Sequence, residues 1–439
     1  MTLTGEGEIL ATGWPPDFRN HTRYRLTNLR VPPALCDVSP SSNGWCEIDL
    51  GIDQGKIVSV EPAGQGGAID APTIDALESI LLSGLVDCHT HLDKAHVSSF
   101  AEFSSSDLVG AIGAMAENKK TWTADQLQRR VEFSLKSSFA YGTRALRSHV
   151  DFAPESPQFI WEVMNAAVDG WRDRIDVQLV PLANILHFDD PGFCHSIYAT
   201  ARQHGRIGMF LYDQPNLKSR LLPIFERAKT EGWDIDLHVD EGLDAKLDGL
   251  NTVAQVVLET TFTGTVLCGH CVALNSYNDK RRSKIIRRAV DAGLHFVALP
   301  STNLYLQSRD QNHMPQFRGM APVANLAAAG ATVSMGADNV GDAFCAFGDF
   351  DPMAVLNLGA QLGHLDEPAR DWAELVTCNP ATSIGLEWNG KICSGAPADL
   401  VLFAGRTSGE ISQRNAPRRA IIRKGKCLSL DPPDFRELN

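Results

Sequence analysis

Four short stretches hold the residue types that metal-assisted hydrolysis needs. In Val86-Asp-Cys-His-Thr-His-Leu-Asp-Lys94, His89 and His91 stand two residues apart. Side chains on a strand alternate with period two, so both imidazoles share one face. Neutral imidazole is the commonest metal ligand, and two on one face make half a site. Leu237-His238-Val-Asp-Glu241 ends an apolar run with another imidazole, and Glu241 just beyond it can reach the same place as an acid or base. Cys268-Gly-His-Cys271 has C-x-x-C spacing, but structural zinc would need a second ligand pair of similar spacing, and the sequence holds none. Its functional member is therefore His270. Met335-Gly-Ala-Asp338-Asn-Val-Gly-Asp342 supplies a carboxylate, Asp338, able to ligate a metal and accept a proton from its water.

Residues so far apart in sequence need a scaffold that gathers strand ends. Short apolar runs alternate with stretches of helical period from about residue 79. The predicted strands are Ile80–Cys88, Thr143–His149, Ile175–Leu182, Arg206–Tyr212, Asp234–His238, Thr265–His270, His295–Leu299 and Ala331–Gly336. Eight strands in this alternation predict an α/β fold, a (β/α)8 TIM-like barrel. A doubly wound open sheet competes, but it usually carries a Gly-rich phosphate turn, which is missing. Barrel chemistry sits at C-terminal strand ends, and those ends read His89, His91, His149, Asn184, Asp213, His238, His270, Asn303 and Asp338. His149 and Asp151 are weighed as structural or supporting residues. The other histidines lack partner spacing and read as surface or satisfied core residues.

Strand signals also flank the barrel. Cys46–Val58 reads as a hairpin about Asp53-Gln54-Gly55, and Asp399–Phe403 and Ala420–Leu428 follow the barrel. A small β-sandwich domain built from both chain ends is expected. The predicted division is 1–78 for an irregular tail and the first β part, 79–385 for the catalytic barrel, and 386–439 for the second β part. Gly64–Gly67 reads as a loop.

The chain's 40 Lys and Arg against 53 Asp and Glu leave a formal charge of −13. That balance argues against a nucleic-acid partner, whose phosphates call for clustered cations. The basic run Asp279–Arg288 is better read as a solvated helix face. No apolar run approaches the roughly 20 residues of a membrane helix, and no secretory pattern opens the chain. A cytoplasmic protein with ten reduced thiols is expected. Cys88 and Cys268 flank candidate ligands, so thiol oxidation is expected to reach the site.

Together these motifs resemble the amidohydrolase superfamily, and within it the bacterial cytosine deaminase branch. The resemblance runs from about Ile57 to Lys426 and includes Asn303-Leu-Tyr-Leu-Gln-Ser-Arg309, Asn379–Leu386 and Gly395–Leu402. It implies one divalent metal, zinc or iron, held by His89, His91, His238 and Asp338. Relatives with two metals use a lysine on the fourth strand. Arg206–Asp213 contains none, and Lys94, in the loop after the first strand, is not assigned that role. Asp338 would accept the water's proton, His270 would orient the attacking oxygen, and Glu241 would protonate a ring nitrogen and help ammonia depart. The implied activity is a metal-dependent hydrolytic deamination of a small aminated nitrogen heterocycle: a cytosine-like pyrimidine, a pterin or a triazine. Hydrolysis of a cyclic amide or ureide, or alkylamine release, is the alternative. A metal-binding scaffold is disfavoured by Glu241 and His270. Asn184, Asn303 and Asn339 are the expected substrate contacts. Asn184 stands where the branch has a longer glutamine, and Asn339 where a second aspartate is frequent, which puts cytosine itself in doubt. The expected partner is a small heterocycle, with no nucleic acid and no membrane, and the chain is expected to be a homo-oligomer.

Overall fold

The computed structural model describes residues 21–65, 69–101, 107–309, 312–414, 416–428 and 430–438. The expected tail at 1–20 and part of the Gly64–Gly67 loop lie outside them. The chain divides into two compact units.

The larger unit comprises 86–365 with 379–386 and 432–439. Its strands, numbered from the start of the barrel, are β1 (Leu85–Thr90), β2 (Thr143–Asp151), β3 (Asp176–Asn184), β4 (Arg206–Leu211), β5 (Asp234–Val239), β6 (Val266–His270), β7 (His295–Ala298) and β8 (Thr332–Met335). They lie in chain order in one eight-stranded sheet. A parallel bridge between Thr90 and Asp338 closes the sheet on itself. Helices such as Ala124–Ala140 and Gly249–Thr260 connect the strands, as the alternating pattern demands. Each begins where the chain supplies its backbone N–H groups with an acceptor. Thr123 caps the first, and Asp240, beyond the end of β5, takes Gly249 N and Leu250 N at 2.9 Å each.

The smaller unit comprises 1–85, 366–378 and 387–431, of which the described residues carry another mixed eight-stranded sheet. Strands from both flanks of the barrel build it: Leu400–Phe403 pairs antiparallel with Ile80–Ser83, and Arg23–Val31 with Cys46–Asp53. The expected hairpin is present, with Gln54 and Gly55 both at positive φ, as a two-residue type I′ turn requires.

One predicted strand is corrected. Ile80–Cys88 is two strands, Ile80–Ser83 in the smaller unit's sheet and β1 in the barrel. Gly84 separates them and donates its N–H to Asp399 O at 2.7 Å. Every residue from Ile80 to Thr90 is buried, so hydropathy gives no sign of the change.

Candidate metal centre

Two residues along β1 from a buried carboxylate, His89 points into the barrel. That carboxylate, Asp87, accepts His89 N at 3.1 Å and Ala337 N at 3.0 Å, which ties β1 to the chain after β8. Burial pushes Asp87 up to about 7 against the pull of those N–H groups. His89 Nε2 lies 3.2 Å from His238 Nε2, and His91 Nε2 lies 3.0 Å from that same nitrogen. Asp338 Oδ1 stands 3.2 Å from His91 Nε2 and 3.5 Å from His89 Nε2. The four side chains predicted as ligands therefore converge from β1, β5 and the end of β8.

His238 Nε2 carries either one proton or one lone pair, so it cannot form a full hydrogen bond with both neighbouring imidazoles, whereas a cation among the three would satisfy them all. Ligand bonds of about 2.0–2.1 Å in a tetrahedron place donor atoms about 3.3 Å apart, the spacing seen here. Both Asp338 oxygens are buried without a hydrogen-bond partner, an arrangement the chain alone does not satisfy. Burial and the neighbouring imidazoles hold His238 well below the ordinary histidine range, so it is a neutral donor. The donor set fits a divalent ion of the zinc or iron type.

His270 and Asp338 reach the cluster through backbone conformations that residues with a Cβ seldom adopt, φ 68° and 60°. In register, His270 pairs with Val239, one residue beyond His238, so plain alternation would turn it from the cluster. Its left-handed backbone brings it back, a strain of the kind found at functional sites. Its neighbour is Gly269 because His89 passes so close: a Cβ there would stand 2.8 Å from His89 Cε1.

Glu241 is buried, with Oε1 3.3 Å from His270 Nδ1. Burial, reinforced by the Asp338 charge, raises its carboxyl well above the usual range. Gln307 donates to the Glu241 carbonyl at 3.3 Å. Asn303 Nδ2 donates to His270 Nδ1 at 3.0 Å, leaving the proton of a neutral His270 on Nε2, a buried atom with no other partner. Burial lowers His270 to about 3.

The remaining predicted residues have partners within the protein. Asn339 Nδ2 donates to Asp342 Oδ2 at 2.6 Å, and Asn184 Oδ1 accepts Leu186 N at 3.0 Å. Lys94 Nζ binds Asp151 Oδ1 at 2.6 Å and approaches His91 Nδ1 at 3.2 Å. His149 lies closer to the cluster than a merely supporting residue needs to be: with His89, His91 and His238 it offers nitrogens all within 4.8 Å of one another. Its Nε2 is also 3.0 Å from Asp236 Oδ1. Asp87 and Asp236 adjoin the cluster and were not singled out by the motifs. Each precedes a candidate ligand histidine by two on the same strand, so alternation was the available signal. The expected thiol vulnerability is overturned. Cys88, Cys268 and Cys271 are buried, and burial raises all three thiols, which keeps them protonated and unreactive.

Residues 193–428 match the model of an amidohydrolase family. The chain is also 34% identical to a pterin deaminase of Rhizobium rhizogenes, over 96% of this chain and 97% of that protein. The chain belongs to the amidohydrolase family. A second relative of this amidohydrolase, at 25% identity over 87% of this chain and 94% of its own length, is N-isopropylammelide isopropyl amidohydrolase of Pseudomonas sp.. Among solved structures, 5-methylcytosine deaminase from Klebsiella pneumoniae liganded with 5-fluorocytosine superposes with a TM-score of 0.79 at 22% identity, covering 94% of this chain and 98% of that one. That likeness is one of fold.

Proposed function

We propose that this amidohydrolase is a hydrolytic deaminase whose substrate is a pterin-class heterocycle, and that His89, His91, His238 and Asp338 hold one divalent cation. The observation that carries the reading is Glu241, a buried carboxyl 3.3 Å from His270 and beside a four-donor cluster. The resemblance to a pterin deaminase over nearly the whole chain favours a pterin among aminated rings.

A bound divalent cation lowers the pKa of its water from about 15.7 to about 7, supplying a nucleophile at neutral pH. The chain's own residues do the rest. Asp338, the one carboxylate of the cluster, takes the proton that the attacking water gives up. His270, fixed by Asn303 with its proton on Nε2, donates to the oxygen that adds to the amine-bearing ring carbon. Glu241 delivers its proton to the adjacent ring nitrogen, which makes that carbon electrophilic. The carbon becomes tetrahedral. The proton collected from water then passes to the amine, the C–N bond breaks and ammonia leaves, and the proton remaining on the added oxygen returns to Glu241 as the ring gains an oxo group.

The test is an ammonia-release assay of the metal-loaded protein over pterins, aminated pyrimidines, purines and triazines, with absorbance followed in parallel. Ammonia in proportion to loss of pterin, with the ring chromophore retained, is expected. Ring opening without ammonia would overturn the reading in favour of cyclic-amide hydrolysis.

A further inference from the structure

The candidate metal centre is enclosed by buried side chains: His89, His91, His238, Asp338, Glu241 and His270 are each at most 5% exposed. The adjoining strand ends on one side are more open. Asp151 at the end of β2, Asn184 at the end of β3, Phe210 on β4 and Tyr212 just past it are half-buried.

The register of β4 gives Phe210 its direction. Phe210 pairs with His238 on β5 and with Asn184 on β3. Paired residues on neighbouring parallel strands share a face, so Phe210 stands on the face from which His238 meets His89 and His91. Met209 and Leu211, on the opposite face of β4, are fully buried. The exposed part of Phe210 is thus turned to the barrel mouth. Tyr212 extends the same surface: the two rings have centroids 6.3 Å apart and planes within 7° of parallel. The Tyr212 hydroxyl leans toward the end of β5. A Cβ on Gly242 would stand 2.6 Å from it, nearer than real contacts allow, so glycine beside Glu241 is what makes room for the phenol. Burial, with Asp244 and Glu241 nearby, raises that phenol, so it remains a donor.

We infer that Phe210 and Tyr212 form the wall against which the planar heterocycle lies, with the Tyr212 hydroxyl donating to a nitrogen or oxo group on the substrate's edge. The inference rests on the deaminase reading and deepens it, naming the residues that set a preference for a two-ring substrate over a one-ring one. With centroids 6.3 Å apart, the two rings together span more of the mouth than a single pyrimidine covers. Aromatic contacts of this kind change affinity by about threefold to tenfold each.

The experiment uses the full-length, metal-loaded protein with unsubstituted pterin and cytosine as probes. Pterin affinity is read from quenching of the pterin's own fluorescence, and KM and kcat from ammonia release. Phe210→Ala and Tyr212→Ala should each raise the pterin dissociation constant and KM about tenfold, with kcat within about threefold and a smaller change for cytosine. Tyr212→Phe, which keeps the ring and its volume, should cost about threefold to fivefold and guards against a misfolded alanine variant. Bound metal should be unchanged in all three. Wild-type protein that binds pterin but releases no ammonia would sink the deaminase reading and leave the wall to be judged on the dissociation constants. Turnover with dissociation constants and KM unchanged in every variant would overturn the wall alone. Failure of the wild type to bind pterin would overturn both.

Discussion

Two levels of the barrel interior, reached two residues apart on β5 by Asp236 and His238, are both buried and differently partnered. At the lower level, Arg147 Nε and Nη2 donate to Gln178 Oε1 at 3.1 and 2.9 Å, and Nη1 donates to Asp236 Oδ2 at 2.9 Å. Arg147 and Asp236 are both 0% exposed. At the upper level, His89 and Asp338 are likewise 0% exposed and His238 5%. Yet three Nε2 atoms face one another, and Asp338 Oδ1 meets only imidazole nitrogens, at 3.2 and 3.5 Å. What differs is the charge of the partner. Arg147 gives Asp236 a permanent cation at 2.9 Å, whereas Asp338 has only those imidazoles, so the upper level suits a cation from outside, because buried charge without a counter-charge is costly.

The contrast can be broken at either level. Glu241→Gln should lower kcat by about 10²–10⁴-fold, since it removes the proton carrier while preserving shape. Metal content should stay unchanged, as elemental analysis of the purified variant would record. Arg147→Met strikes the lower level, leaving Asp236 buried with only the His149 imidazole beside it. A loss of about 3–5 kcal/mol in urea unfolding is expected. In the intact protein His149 and Arg147 hold Asp236 well below the usual carboxylate range, outweighing its burial. A depressed pKa contributes stability above the unfolded value of about 3.9 and loses it as pH falls. The unfolding free energy should therefore drop below about pH 4, and this acid dependence should flatten in Arg147→Met.

Smaller effects sharpen the picture. Asn303→Ala frees the His270 tautomer, and a loss of about tenfold in kcat is expected, with Asn303→Asp restoring less than half of it because a carboxylate cannot donate to Nδ1. A thiol reagent should modify exposed Cys393 first and leave activity unchanged, since Cys88, Cys268 and Cys271 are buried. Rapid inactivation that follows modification of Cys88 would contradict the packing.

Much of the upper level was legible in the sequence because its information is local. H-x-H on a strand dictates a shared face, and an apolar run ending in histidine places an imidazole at a strand end, in the cluster. The lower level depends on pairs such as Arg147 with Asp236, 89 residues apart, which no local period reports. Nor does hydropathy distinguish a strand that leaves one sheet for another, as at Gly84. The left-handed backbone at His270 and Asp338 is set by packing around the barrel mouth rather than by residue type. Segment 366–378 belongs to the smaller unit although it follows the last barrel strand, and its sequence carries no strand signal to announce that.

The central claim is that the upper level holds one cation through His89, His91, His238 and Asp338. Its most direct test is the metal content of extensively dialysed wild-type and His238→Ala proteins, measured by elemental analysis alongside their unfolding curves. About one zinc or iron per wild-type chain, and less than about a tenth of that in a folded His238→Ala variant, is the predicted result. Equal metal in the two proteins, or none in the wild type after loading with either ion, would contradict it.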